Sequence, residues 1–418
     1  MTRVPELLLP AGTASKLQMA LDYGADAVYA GAAGLSMRPD VAALSVAELA
    51  AGLELCHARG RRLYVAINSL YFDRDLPPLE RWLVETAALP FDAVIVSDLG
   101  ALRLVRERRP ELAVHISTQA AVANSAAARF LADAGANRVI LARECSIADG
   151  QRIAREGGLE VEVFVHGAMC VAISGRCLLS AHLTGRSGST GDCKHSCRWE
   201  WQLVEQKRPG EALPIFEEGG ETFLLGSTDL CLIEYIPELV QSGVAALKVE
   251  GRMKSEHYVA AVARVYRAAL DAWATSGPAF CTDPAWLEEL ESVSHRPYGK
   301  GFAFGYPENN PRSLQTHNRP VSQAKVIAYL ARDPGAAPET ASDDAIALSV
   351  KNPFAPGDKL EWIGPGFVGG ELTVASIVDE EGAALKRTIS ATTVWVDFHK
   401  PVELPPQAII RRRVDHDS

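Results

Sequence analysis

Across roughly its first 275 residues the chain repeats one phrase. A short β-branched run is followed by a Gly or polar pair and then an Ala/Leu-rich stretch with apolar positions three and four apart. The runs fall at 6–10, 27–31, 63–68, 93–97, 113–117, 138–142, 162–166 and 246–250, with helical segments such as 45–59 and 125–134 between them. Strands that are apolar almost throughout have both faces buried, which is the condition of a parallel sheet covered by helices. Eight such units are the number that closes a barrel, so the expected fold class is α/β with a TIM-like (β/α)8 barrel. A doubly wound open sheet is the alternative.

Two breaks in the repeat set the expected domains. The barrel occupies 1–278 and is interrupted by a cysteine-rich insertion at about 167–226, which holds a hairpin pairing 199–205 with 222–225. Long connections inside a compact domain are usually functional. Pro, Gly and Asn then accumulate, and 279–320 reads as a linker. From 321 to 418 short strands follow at 324–329, 345–350, 352–357, 359–362, 371–378 and 393–397, which suits a small C-terminal β-barrel domain.

Barrel chemistry lies at the C-terminal ends of the strands. Those ends supply Asn68, Asp98, Thr118, Gln119, Arg143, Glu144, His166, Glu250 and Arg252. Each alone is more simply a helix cap or a surface ion pair. Together, Arg143, Arg252 and Lys254 are suited to clamp a carboxylate ligand, and His166 either transfers a proton or caps the insertion.

Net charge is −10, so no general nucleic-acid coat is expected. A local mixture of Arg176, Arg186, Lys194, His195, Arg198, Trp199, Trp201, Lys207 and Arg208 suits phosphate binding and base stacking, or simply a solvated hairpin. No apolar run approaches the roughly 20 residues that span a bilayer, and the N-terminus is too short for a signal peptide, so a cytoplasmic protein without a membrane partner is expected.

Of the eight cysteines, Cys170, Cys177, Cys193, Cys197 and Cys231 cluster in and just after the insertion, with Cys231 expected at the start of a helix. In a reducing compartment such crowding points to metal or cluster ligation. The spacing leaves an iron–sulfur cluster and a tetrathiolate zinc about even. Buried cysteines without a ligand, or a Cys nucleophile paired with His166 or His195, are weaker alternatives.

The run Glu162-Val-Phe-Val-His-Gly-Ala-Met-Cys170-Val-Ala-Ile-Ser-Gly-Arg-Cys177-Leu-Leu-Ser180 resembles the signature of the collagenase-like peptidase family U-32. The segments Gly191–Trp201, Ser227–Cys231 and Leu247–Ser255 are similar to further blocks of that family, and the tail resembles its C-terminal β-domain. One departure is Ile173, where many relatives carry an aromatic residue. The likeness is greatest to the branch that works with prephenate on the wobble uridine of tRNA. The resemblance implies a tRNA uridine hydroxylase with a 4Fe–4S cluster held by Cys170, Cys177, Cys193 and Cys231, with Cys197 as the spare or as the replacement for Cys193. It implies prephenate as co-substrate, received by Arg143, Arg252, Lys254 and Gln119, with His166 and Glu250 as proton-transfer candidates. The tRNA anticodon loop is the implied partner, presented by the basic-aromatic hairpin and the β-domain. Alternatives are a collagenase-like protease and a non-catalytic RNA-binding subunit paired with a second family U-32 chain. Against the first, the sequence contains neither an H-E-x-x-H pair nor a G-x-S-x-G elbow.

Overall fold

A computed structural model describes residues 4–37, 42–169, 228–306, 321–332 and 334–414, with residues 183–184 and the backbone of four short strand segments between 203 and 223. Cys170, Cys177, Cys193 and Cys197 lie outside the described residues, as do Ile173 and all nine residues named for the basic-aromatic mixture.

Seven parallel strands follow one another around a barrel: β1 Glu6–Ala11, β2 Ala27–Gly31, β3 Arg62–Ala66, β4 Ala93–Val96, β5 Val114–Ile116, β6 Arg138–Ile140 and β7 Glu160–Ala168. An extra strand, β8 Asp229–Cys231, intervenes in sequence before β9 Ala246–Val249 closes the ring by pairing in parallel with both β1 and β7. The closed TIM-like barrel is therefore present. Leu8, Ala27, Tyr29, Tyr64, Ala66, Ala93, Ile95 and Ile140 pack inside it. Their neighbours Leu7, Leu9, Val28, Val65 and Val94 face the surrounding helices, which is why the strand sequences read as apolar throughout. The residues after the strands start the helices: Thr13, Ser45, Asp98, Asn124, Ser146 and Ser255 each accept a backbone N–H of the helix that follows.

The insertion returns to the barrel through β8, which runs antiparallel to the end of β7 with Cys231 opposite His166. Cys231 thus ends a strand rather than starting a helix. In the described backbone Leu203–Val204 pairs with Ala212–Leu213, and Phe216–Glu218 pairs with Glu221–Phe223. These two local pairings replace the single longer hairpin expected from the sequence, since short loops close at lower entropic cost. The stretch expected as a linker carries the helix Pro284–Glu291 and a strand, β10 Tyr298–Gly299, that joins the barrel sheet alongside β8.

The C-terminal domain is a closed antiparallel barrel of six strands: β11 Ala324–Leu330, β12 Ile346–Val350, β13 Lys359–Gly364, β14 Val368–Val378, β15 Thr393–Phe398 and β16 Ile409–Arg413. Residues 352–357 form a loop, not the expected strand. The ring is closed instead by β16, between β11 and β13. Ile410 points into the small barrel's core, while Ile409 joins the core of the large one. The helix Glu256–Ser276 lies between the domains and is apolar on most sides because it is covered from both. Tyr23 Oη donates to the carbonyls of Ile363 and Gln407, at 3.2 and 2.9 Å. Arg411 is buried at the same seam. No helix among the described residues is long and apolar enough to cross a membrane.

Candidate active site at the barrel mouth

The barrel's lower interior is charged, not apolar. Lys248 Nζ donates to Glu162 at 2.7 Å, Arg138 reaches Glu162 at 3.3 Å and Glu6 at 3.0 Å, and Tyr64 Oη donates to Glu6 at 2.9 Å. Two acids thus face two bases in a space nearly closed to water. Burial pushes the Glu6 carboxyl up, opposed by Arg138 and Arg62, and pulls the Lys248 ammonium down, opposed by Glu162. Lys248 sits 4.2 Å from the centre of the Tyr29 ring and 5.7 Å from that of Phe164.

Phe164 also carries Arg143 above it, with the guanidinium carbon 4.0 Å from the ring centre. Arg143 further donates to the carbonyl of Ala168. The expected ligand clamp is therefore fastened to β7, the strand that leads to Cys170. Arg252 is buried and packs toward β2, where a methyl group on Gly31 would lie 2.4 Å from its Nη1. Lys254 is turned aside: its ammonium donates to the carbonyl of Ser294 at 2.8 Å. Across the mouth, Asn68 Nδ2 donates to Ser117 Oγ and Gln119 Oε1, both at 3.3 Å, and Gln119 Nε2 returns to the Asn68 carbonyl at 3.3 Å. Asp98 caps a helix by accepting from Ala101 N at 2.9 Å, and Thr118 donates to the Leu141 carbonyl at 2.8 Å. Asn68 and Gln119 are thus brought together, whereas Asp98 and Thr118 are engaged in local structure.

His166 is walled in by Tyr258, Tyr266 and Tyr298, with ring centres 6.0, 5.6 and 5.2 Å away. Its Nδ1 lies 3.5 Å from Tyr266 Oη, and its buried Nε2 has no hydrogen-bond partner among the described residues. Burial, helped by the positive charge of Lys254 and by His295, pulls its pKa to about 3, so the ring is neutral at neutral pH. Tyr258 Oη donates to the carbonyl of Glu250, whose N–H donates to the His166 carbonyl, so Glu250 is tied to β7 through its backbone. Gly167 makes this approach possible. Its φ is +103°, and a Cβ there would come within 2.8 Å of the Glu250 carbonyl oxygen and 2.9 Å of Tyr258 Oη.

Cys231 faces the same aromatic pocket. Burial pushes its thiol up to about 12, although Tyr266 and the Ile233 backbone hydrogen-bond to the sulfur. Such a thiol ionises only when a cation compensates the lost hydration, as a bound metal does. A buried thiol of this kind suits a soft-metal site. The remaining three expected ligands fall outside the described residues, and the described residues alone contain no group of three His, Cys, Asp or Glu side chains placed to hold a metal.

Residues 12–313 match the family model described as Peptidase family U32, and residues 337–411 match the one described as Peptidase family U32 C-terminal domain. The chain belongs to peptidase family U32. Among its relatives, the "tRNA hydroxylation protein P1" of Bacillus subtilis is 35% identical over 384 residues, which is 92% of this chain and 89% of the relative. The "tRNA hydroxylation protein P" of Escherichia coli is 34% identical and covers 97% of this chain and 96% of its own length. A protein named "Collagenase" from Porphyromonas gingivalis is 30% identical over 72% of this chain and 73% of its own length.

The interior network escaped the sequence argument. Its signal was available: Glu162 lies between Val161 and Val163, and Lys248 between Leu247 and Val249, charges set among apolar neighbours in strands that the barrel covers.

Proposed function

We propose that this U32 protein is an RNA-modifying hydroxylase that installs the 5-hydroxyl of the wobble uridine in tRNA, with prephenate as co-substrate. The observation that carries this is the near full-length similarity to two proteins named for tRNA hydroxylation, which extends through both domains. In this reading Cys170, Cys177, Cys193 and Cys231 hold a 4Fe–4S cluster, which when bound supplies one-electron redox chemistry. Arg143 and Arg252, with Gln119 across the mouth, receive the carboxylates of the co-substrate. Lys254, already bonded to Ser294, positions the loop after β9 rather than reaching the ligand. The neutral imidazole of His166 serves as a hydrogen-bonding wall, and Glu250 is the remaining proton-transfer candidate. The tRNA anticodon loop approaches this mouth from the side of the insertion.

The similarity to a protein named Collagenase favours a second reading, peptide hydrolysis. Metal and sulfide analysis after anaerobic purification separates the two. About four irons and four sulfides per chain, lost in Cys231→Ala, support the redox enzyme, whereas a single zinc favours a structural or hydrolytic centre. Cleavage of collagen-type peptides by metal-defined protein would overturn the hydroxylase reading.

A further inference from the structure

The loop Lys300-Gly-Phe-Ala-Phe-Gly-Tyr306 is held in a definite shape. The N–H groups of Ala303 and Gly305 donate to the carbonyls of Lys300 and Phe302, at 3.1 and 2.9 Å, and the Ala303 carbonyl accepts from Ile147 N at 2.9 Å. Gly301, with φ +52°, fits the loop against β8: a Cβ there would lie 3.1 Å from Leu230 and 3.3 Å from Met169. The loop therefore abuts the strand that carries Cys231.

What this shape displays is unusual for a free surface. Phe304 and Tyr306 are 56% and 64% exposed. The ring of Phe304 meets that of Tyr235 edge-on, with centres 4.7 Å apart, and Lys300 Nζ lies 4.8 Å from the Tyr235 ring centre and 5.8 Å from that of Phe304. Beside Phe304 opens a groove of about 460 Å³ whose lining includes Ile147, Gln151, Glu238, Gln241 and Ala303.

Single exposed aromatics need no explanation. Two exposed rings, a cation over one of them and amide side chains in the adjoining groove are the parts of a single-stranded nucleic-acid platform. A ring takes the face of a base, an ammonium takes a phosphate, and amides take a base edge. The order cation, Gly, aromatic, small, aromatic is also that of the stacking segment in RNA-recognition sheets, displayed here from a turn instead of a strand.

We propose that the loop 300–306 and its groove bind an unpaired base of the RNA, stacked on Phe304 and Tyr306 with its phosphate at Lys300, flanking the nucleotide modified at the mouth. This rests on the RNA-modifying reading above. The test uses the full chain and an unmodified tRNA transcript, with affinity read by fluorescence anisotropy at several salt concentrations. Phe304→Ala with Tyr306→Ala is expected to weaken binding at least about 10-fold at every salt concentration, because stacking is not ionic. Phe304→Trp keeps the affinity, and Lys300→Gln lowers the salt slope by about one unit. Both rings are exposed, so the melting temperature of the double variant stays that of the parent. Unchanged affinity in the double variant, with a parent that binds, overturns the proposal and leaves the RNA reading standing. So does a double variant that loses self-association instead of RNA affinity. A parent that binds no RNA overturns both.

Discussion

Arg411, on the last strand of the small barrel, reaches four side chains at the seam between the two barrels. Its guanidinium donates twice to Glu289, at 2.8 and 2.7 Å, and to Glu361 at 2.7 Å, Ser292 at 2.9 Å and His257 at 3.0 Å. The side chains of Arg411 and Glu289 are only 2% and 6% exposed. Arg411→Met keeps most of the volume and removes the charge, which leaves the Glu289 carboxylate buried beside Arg264 at 3.8 Å. Breaking a buried pair in this way typically costs about 3–5 kcal/mol. The remaining Arg264 places this case near the lower end, about 3 kcal/mol. Adding Glu289→Gln should return part of that loss, because an amide needs no counter-charge. Urea unfolding followed by tryptophan fluorescence suits the purpose, since Trp286 lies beside the seam and Trp362 and Trp395 lie in the small barrel. The midpoint should fall by about 1 M. A loss below about 1 kcal/mol, or no recovery in the double variant, would refute the claim that this charge cluster fastens the domains.

Three further outcomes are expected. The pKa of His257 is about 3 because of burial and the adjacent Arg411 and Arg264, against an ordinary value of 6.5. Between pH 6.5 and 3 the unfolded chain therefore takes up a proton that the folded chain refuses, and stability falls with falling pH by about 1.4 kcal/mol per pH unit for this one site. His257→Gln keeps an acceptor for Arg411 and should flatten the measured slope by that amount; an unaltered slope contradicts the assignment. Gly167→Ala should destabilise the protein by more than about 1 kcal/mol, read as a lower thermal midpoint, because both its positive φ and its neighbours exclude a methyl group. Lys248→Met strands Glu162 in the barrel interior with Arg138 as its remaining partner and should cost about 3 kcal/mol in urea unfolding, with recovery on adding Glu162→Gln.

The barrel was legible because its strands must be apolar on both faces, a constraint that Leu7, Leu8 and Leu9 express together. The last strand of the small barrel was not, since Ile409-Ile-Arg-Arg-Arg413 looks like a charged tail until Arg411 is seen to be neutralised by Glu289 and Glu361. Helix Pro284–Glu291 was hidden in the same way, its single buried acid, Glu289, having its partner in another domain. At the mouth, strand-end position located Arg143, Gln119, His166 and Arg252, but not the directions of their side chains. Lys254 faces Ser294 because that carbonyl comes from the segment after the helix, a neighbour that local sequence does not announce.

The proposed activity adds an oxygen atom to RNA. The gene for this chain should be expressed in a strain whose tRNA contains no wobble 5-hydroxyuridine, and the digested tRNA examined by mass spectrometry. The modified nucleoside should appear with the parent chain and be absent with Cys231→Ala at equal protein levels. Its absence with the parent chain, in cells that supply iron, sulfide and prephenate, would contradict the assignment.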